Sequence, residues 1–219
     1  MSRKSATDAA RIVESTPLRA AFYDRPTERV ARDLLGRILQ CTVGGVRCRG
    51  RIVETEAYLG EHDPACHAAV GRTARSEVLY HRPGTAYVYF VYGMHWCANA
   101  VTRGEGLPSA VLIRAVEPIE GLTAMRRRRR GIRRDVDLTS GPGRLCQAFG
   151  ITGPAHHGRS LVTSSLRILR GTRVLARAVA TTPRIGVGAA TDWPMRFIVR
   201  DSPFLSARAQ TARFLAVRR

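Results

Sequence analysis

The sequence predicts an α+β fold, a single mixed domain with a mainly antiparallel sheet, peripheral helices and a protruding β-hairpin. The chain has 219 residues and is 44% hydrophobic, enough for one good core and too short for several independent domains. Its short β-branched and aromatic runs are separated by glycine-bearing turns, as in antiparallel hairpins. Residues 1–16 are polar, so we expect a flexible leader there and the folded domain at residues 17–219.

The first predicted element is a helix that begins near Thr27. Its apolar stripe consists of Val30, Ala31, Leu34 and Leu35. We expect Thr27, which follows Pro26, to cap the start of this helix and Gly36 to help end it.

Two predicted hairpins follow the helix. Strand-like runs at residues 37–43 and 46–58 flank Gly44-Gly45, a strong signal for a two-residue turn. Residues 60–84 are rich in Gly, Pro, His and Arg and are expected to form a loop. The next strands are expected at residues 85–91 and 95–101, with Tyr92-Gly93-Met94 at the tip between them.

The second half of the chain gives weaker signals. Apolar residues 110–116 predict a strand that ends at Pro118. Beyond it we expect short helices at residues 121–130 and 145–149, a loop at 152–160, and strands at 173–180 and 195–199.

The charge balance indicates a polyanionic partner. Lysine and arginine total 36 against 17 acidic residues, a formal net charge of +19. Residues 126–130 are five consecutive arginines, which either form the solvated end of a helix or contact phosphate groups. Lys4 is the only lysine, so chemistry through a protein imine is not expected.

Cysteine usage and hydropathy suggest a cytoplasmic protein, associated with the nucleoid if bacterial. The chain has five cysteines, an odd number without a C-x-x-C pair, so we expect free thiols in a reducing compartment. It has no apolar run of the roughly 18 residues that a membrane helix needs. His62, His67 and His81 lie near Asp63 and Cys66 in sequence, but their spacing fits neither the zinc deaminase pattern nor a zinc finger. We therefore expect no metal and no cofactor.

Two clusters carry candidate chemistry. Strand alternation places Glu54, Glu56 and Tyr58 on one side of their strand, where either glutamate could act as a base or pair with an arginine. Alternation alone cannot choose between the two glutamates. The second cluster is aromatic and consists of Tyr87, Tyr89, Tyr92 and Trp96. Core packing is the ordinary interpretation of aromatic residues on a strand, but Tyr92, at a predicted hairpin tip, is poorly placed for the core and could wedge into a stack of bases.

Six motifs, in the same order along the chain, closely resemble the alkyladenine (3-methyladenine) DNA glycosylase family. They are RIVETEAYLG (51–60), PGTAYVYFVYGM (83–94), RAVEP (114–118), SGPG (140–143), RIGVG (184–188) and RFIVRDSP (196–203). The likeness spans about residues 17–206. Departures from vertebrate members, about two extra residues between Gly106 and Val111 and a different 152–160 loop, lie outside the functional positions.

The resemblance assigns roles to residues that the patterns left open. It implies that Glu56 is the catalytic acid and that, with Arg114 and the main-chain carbonyl of Ile185, it holds the attacking water. Tyr58, His67 and Tyr89 are expected to stack on the base, and Asn99 is expected to disfavour guanine in the pocket. Tyr92 is expected to intercalate into DNA, and Met94 and Arg72 to contact it.

The expected function is that of a monofunctional glycosylase. It would act as a monomer on double-stranded DNA containing damaged purines such as 3-methyladenine, hypoxanthine or ethenoadenine. The enzyme would flip the purine out and hydrolyse its N-glycosidic bond, the first step of base excision repair. The alternative from another class is a non-catalytic lesion-binding protein on the same scaffold, which the presence of Glu56 and Arg114 disfavours. A metal-dependent nuclease or deaminase is disfavoured by the missing ligand pattern.

Overall fold

A computed structural model describes residues 16–216, so the predicted leader lies almost entirely outside the described residues. The α-helices are α1 Ala20–Tyr23, α2 Thr27–Leu34, α3 Leu122–Arg128, α4 Pro142–Phe149, α5 Gly153–His156 and α6 Arg208–Ala216. The strands are β1 Ile38–Val43, β2 Val46–Tyr58, β3 Ala86–Val91, β4 His95–Val101, β5 Ala110–Glu120, β6 Leu166–Leu169, β7 Val179–Thr182 and β8 Arg196–Val199. This mixture confirms the predicted α+β class.

The eight strands form one antiparallel sheet in the order β3-β4-β5-β2-β1-β6, and β8 joins it by pairing with both β2 and β7. The 13-residue strand β2 is its centre. One edge of β2 pairs with β5, while the other pairs first with β1 and then, at residues 54–56, with β8. Because of this change of partner, the end of β2 contacts segments that come from late in the chain.

Local sequence explains the first elements. Gly44 and Gly45 have φ of 56° and 76°, the left-handed conformations that the two-residue turn between β1 and β2 requires. The α2 stripe of Val30, Ala31 and Leu34 is fully buried against the sheet. Thr27, however, is the first helical residue and makes no capping bond; its hydroxyl lies 3.0 Å from that of Thr102, so the predicted cap is wrong.

Several boundaries in the second half differ from the prediction. β5 continues through Pro118 to Glu120, although proline lacks the N–H that a ladder bond needs. The expected loops contain helical turns, two 3₁₀ segments (His67–Val70 and Glu77–Tyr80) and α5. The predicted strand at residues 173–180 is mostly irregular, and β7 begins only at Val179. Helix α6 and strand β6 were not predicted.

The two sides of the sheet near the end of β2 carry different structures. The Thr55 hydroxyl donates to the carbonyl of Ala31 in α2 at 2.9 Å, so this side of β2 faces the helix. Glu54 and Glu56 instead both contact Arg114 of β5, on the other side. A polar cluster thus lies beneath the sheet, opposite α2.

Strands β3 and β4 pair from Ala86–Ala100 to Val91–His95 around the turn Tyr92-Gly93-Met94. Tyr92 has a φ of 53°, a conformation that few non-glycine residues adopt, and its side chain is 78% exposed. Met94 is also exposed. Two apolar side chains therefore face solvent at the tip of this turn.

All five cysteines are buried free thiols. Burial raises the pKa of Cys41, Cys66, Cys97 and Cys146. Within residues 16–216, no helix is long and apolar enough to span a bilayer.

Candidate active site

Glu56 is fully buried near the carboxyl end of β2, yet its carboxylate is well supplied with donors. Oε2 accepts hydrogen bonds from the Tyr58 hydroxyl at 2.8 Å and from Arg114 Nη1 at 3.1 Å. Oε1 accepts one from the main-chain N–H of Ile185 at 2.8 Å. A carboxylate has about four acceptor positions, so one position on Oε1 is left for a further donor.

Glu54 has a different environment. It is equally buried, and its two oxygens accept four hydrogen bonds, from Arg114 Nε at 3.2 Å, Arg196 Nε at 2.7 Å, and the Ser206 N–H and hydroxyl at 2.6 and 2.7 Å. Three of these bonds end on Oε1 and one on Oε2, so two arginines and Ser206 enclose the carboxylate. Glu54 is therefore a structural carboxylate that fixes two arginines and the segment before α6.

Arg114 joins the two glutamates. Its Nε donates to Glu54 and its Nη1 to Glu56, and Nη1 also lies 3.4 Å from the carbonyl oxygen of Ile185. Burial opposes the charge of this guanidinium, but the two carboxylates outweigh burial and raise the pKa of Arg114. Arg114 is a fixed cation whose position depends on Glu54.

An aromatic pocket of about 390 Å³ adjoins this cluster. Its wall includes Tyr58, His67, Tyr87, Tyr89, Tyr92 and Asn99, and the loop residues Gly186, Val187 and Gly188. Tyr58 contributes its ring to the pocket and its hydroxyl to Glu56, which places the carboxylate directly behind the wall. A volume of this size with aromatic faces suits a flat heterocycle.

Hydrogen bonds and ring contacts fix the pocket walls. His67 Nδ1 lies 2.8 Å from the Tyr87 hydroxyl, and the His67 and Tyr89 rings meet edge to face at 4.6 Å between centroids. Burial, aided by the nearby positive charge of Arg75, lowers the pKa of His67 to about 4, so the ring is neutral near pH 7. The Asn99 amide donates to the carbonyl of Tyr87 at 2.9 Å.

Two loops meet at the pocket through an ion pair that the sequence patterns did not indicate. Arg184 and Asp63 are both fully buried, and Arg184 Nη2 donates to Asp63 Oδ1 at 2.8 Å. Arg184 also lies over the ring of Tyr58 at 4.8 Å. The pair fixes the loop that carries Ile185 against the segment that leads to His67.

The ion pair also bears on the histidine-rich segment. Asp63 additionally accepts hydrogen bonds from the N–H groups of Leu59 and Ala65, so its oxygens are committed to protein donors. In the part of the chain that the structure describes, no three His, Cys, Asp or Glu side chains are grouped as metal ligands.

Family comparison adds to this geometry. The methylpurine-DNA glycosylase family profile matches residues 21–203, which include every residue of the cluster except Ser206. The chain belongs to the methylpurine-DNA glycosylase family. Members of this family are hydrolases of the N-glycosidic bond, so the predicted family and enzyme class are confirmed.

Relatives from several organisms are similar over most of their length. A Myxococcus xanthus protein provisionally named 3-methyladenine DNA glycosylase is 52% identical over 189 residues, 85% of this chain and 91% of the relative. Proteins with the same provisional name from Methanocella arvoryzae and Salinibacter ruber are 47% and 48% identical, covering 86% and 87% of this chain and 94% and 96% of their own.

Not all family-derived positions lie at the pocket. Glu56, Tyr58, Arg114 and Ile185 meet in one cluster, with His67, Tyr89, Asn99 and Tyr92 around the adjoining pocket. Met94 lies at the β3–β4 turn. Arg72 lies outside the pocket wall and forms two hydrogen bonds to Glu77 at 2.7 and 2.8 Å, and its DNA contact stays a prediction.

The arginine run at residues 126–130 is divided between the two interpretations. Arg126 pairs with Asp135 at 2.8 Å. Arg128 and Arg129 turn inward and donate to main-chain carbonyls, including those of Ala148 and Leu138. Three of the five arginines thus hold α3 to its neighbours, and the exposed Arg127 and Arg130 are left as candidates for phosphate contact.

Proposed function

We propose that this enzyme excises alkylated or deaminated purines, of the 3-methyladenine, hypoxanthine and ethenoadenine class, from double-stranded DNA. The observation that carries the proposal is the position of Glu56, buried behind an aromatic pocket with one acceptor position free. Since a base within the duplex cannot reach such a pocket, the nucleotide must flip out of the helix. We further propose that the enzyme works as a monomer.

The pocket would select bases by shape and π-surface. The flipped purine would stack on Tyr58 at one side and on His67 and Tyr89 at the other, where a neutral His67 does not repel a cationic alkylated base. Asn99, held by its hydrogen bond to Tyr87, would crowd an exocyclic amino group such as that of guanine. Tyr92 would fill the gap that the base leaves in the duplex.

Glu56 would direct the hydrolysis. Its Oε1 would accept a proton from a water also held by Arg114 and by the Ile185 carbonyl, while its negative charge stabilises the cationic sugar. The new bond joins the water oxygen to the anomeric carbon, and the purine leaves with the electrons of the N-glycosidic bond. The product is an abasic site in an intact strand, because no described residue offers an amine for imine formation.

The test uses end-labelled duplexes that contain hypoxanthine, ethenoadenine or undamaged adenine, and DNA containing 3-methyladenine, each with and without EDTA. We expect strand cleavage at the damaged base only after alkali, and loss of this cleavage in Glu56→Gln with duplex binding retained. Glu117→Gln, an equivalent change at a glutamate whose side chain is 45% exposed, is the matched control.

Three results would contradict the proposal. Binding without release of any of these bases would favour the lesion-binding protein. Nicking without alkali would refute the monofunctional chemistry, and loss of excision in EDTA would refute the metal-free mechanism.

A further inference from the structure

A second concave surface lies away from the aromatic pocket. This hollow, of about 770 Å³, is lined by Phe22, Arg25, Glu28, Arg29, Arg32, Asp33, Arg37, Arg173 and Phe197. Five of its nine residues are arginines and two are acidic, so its formal net charge is +3. We refer to it below as the basic hollow.

The acidic residues compensate the arginines only partly. Asp33 pairs with Arg25 at 2.8 Å and lies 4.0 Å from Arg173. Within residues 16–216, neither Arg29 nor Arg32 forms an ion pair with an acidic side chain, and both are exposed. At least two guanidinium groups are therefore open to an external anion.

The field of these arginines acts on their neighbours. Burial lowers the pKa of Arg37, although Asp33 acts in the opposite direction. The positive charges of Arg173, Arg170 and Arg25 lower it further. An anion in the hollow would relieve this repulsion between like charges.

Aromatic rings hold several of these arginines in place. Arg25 and Arg37 lie over the ring of Phe22, with their guanidinium carbons 4.4 and 5.8 Å from its centroid, and Arg32 lies 6.0 Å from that of Phe197. Guanidinium groups held in this way lose less entropy on binding an anion than freely moving side chains do. Arg25 and Arg37, which also donate to protein acceptors, are fixed positive charges beside the exposed Arg29 and Arg32.

The basic hollow and the active site lie on opposite sides of the sheet. Phe197 of β8 pairs with Thr55 of β2, whose hydroxyl bonds to α2, the helix that carries Arg29 and Arg32. Glu54 and Glu56 face the other side. A duplex bound over the aromatic pocket therefore leaves the hollow free.

We propose that the basic hollow binds the phosphodiester backbone of a second DNA segment while the active-site face holds the first. This inference rests on the proposed function for the first segment only. Guanidinium groups spaced along one helix and an adjoining loop suit a repeating polyanion and would bind it without reading its sequence. Such an enzyme could pass from one DNA segment to another without a free intermediate.

The experiment compares two triple variants that remove the same charge. Arg29→Gln/Arg32→Gln/Arg173→Gln alters the hollow, while Arg47→Gln/Arg82→Gln/Arg134→Gln removes arginines that each pair with an acidic residue elsewhere. Native mass spectrometry with a hypoxanthine duplex and an undamaged duplex counts how many duplexes one chain binds. Stopped-flow release of the first duplex, as undamaged competitor is added, measures transfer.

For the wild type and the control we expect one chain with two duplexes and a release rate that rises with competitor concentration. The hollow variant should bind one duplex, release it at a rate independent of competitor, and keep wild-type single-turnover excision. For single-arginine variants of the hollow, the logarithm of the binding constant for the second duplex is plotted against the logarithm of the salt concentration. The slope of this plot should fall in magnitude by about 0.9 for each phosphate that is no longer neutralised.

Other outcomes would overturn the inference. The first is strictly one-to-one binding of duplex by the wild type. The second is an equal loss of second-duplex binding in both triple variants. The third is displacement of the second duplex by a poly-glutamate peptide at a lower concentration than by DNA. Loss of single-turnover excision in the hollow variant would show that the two surfaces are not separate. Failure of the proposed function gives a different result, because the wild type would then release no base although two undamaged duplexes could still bind.

Discussion

The two buried glutamates should respond differently to the same isosteric change. In Glu54→Gln, one of the two oxygens becomes an NH₂ donor, which faces the N–H groups of Arg196 and Arg114 at one position or that of Ser206 at the other. Arg196, only 2% exposed, also loses its acidic partner. Breaking a buried pair by removing one partner costs about 3–5 kcal/mol, so we expect the free energy of unfolding to fall by that amount.

Glu56→Gln should be milder for stability. Arg114 keeps its bond to Glu54, and the loss is confined to hydrogen bonds at one carboxylate, about 1.5–3 kcal/mol. For base excision, Glu56→Gln should be the more harmful of the two changes. Removing the group proposed to take the proton should slow excision by about 10²–10⁴-fold, and folded Glu54→Gln should lose less.

Urea unfolding and single-turnover excision on a hypoxanthine duplex, both at a temperature where each variant is folded, measure the two effects. Glu117→Gln should leave stability within about 0.5 kcal/mol of the wild type because its side chain is partly exposed to water. The division of roles is refuted if Glu56→Gln is the less stable variant, or if folded Glu54→Gln loses excision to the same extent as Glu56→Gln.

Four more predictions concern the pocket and the ion pair that fixes its loops. Arg184→Met should reduce the free energy of unfolding by about 3–5 kcal/mol in urea titrations, because it leaves Asp63 buried without its cation. Arg184 and main-chain donors lower the pKa of Asp63 despite its burial. The stability that Asp63 contributes is therefore present above the unfolded pKa of about 3.9 and is lost as the pH falls through the folded pKa. In thermal unfolding, Asp63→Asn should lack this pH-dependent loss of stability. Tyr92→Ala should slow excision while changing stability by less than about 0.5 kcal/mol, since the side chain is exposed. His67, with a pKa of about 4, should stay neutral from about pH 5 to 8 in NMR titrations.

Each of the four has a contradicting result. An Asp63→Asn protein that loses stability in acid to the same extent as the wild type would show that Asp63 contributes no such component. An Arg184→Met protein as stable as the wild type would mean that the ion pair does not hold the loops. Unchanged excision in Tyr92→Ala would remove the wedge from the mechanism. A His67 that titrates near its ordinary pKa of about 6.5 would show that its ring is open to water.

Short-range signals in the sequence predicted the first half of the fold well. Alternating residues and Gly44-Gly45 define β1 and β2, and β2 has the predicted bounds, residues 46–58. Later elements depend on distant partners. β6 has only four residues and forms against β1, and β7 forms against β8, so neither has a clear pattern of its own.

The site shows the same division. Spacing alone brought Glu54, Glu56 and Tyr58 to one side of a strand, and resemblance to the family selected Glu56. Ser206 and Arg196 could not be found in this way, because they reach Glu54 from 152 and 142 residues away along the chain. Asp63 stood in a histidine-rich segment that suggested metal ligands, and its real partner, Arg184, lies 121 residues away.

The hydrogen bonds of Ile185 have a consequence for how this enzyme can vary. Its N–H bonds to Glu56 and its carbonyl lies by Arg114, and neither group belongs to the side chain. Alanine at this position would keep both main-chain groups, and only proline would remove the N–H. The backbone conformation of this loop should therefore matter more for activity than the side chain at position 185. Substitutions of Asp63 and Arg184, which fix the loop, would disturb catalysis from outside the pocket.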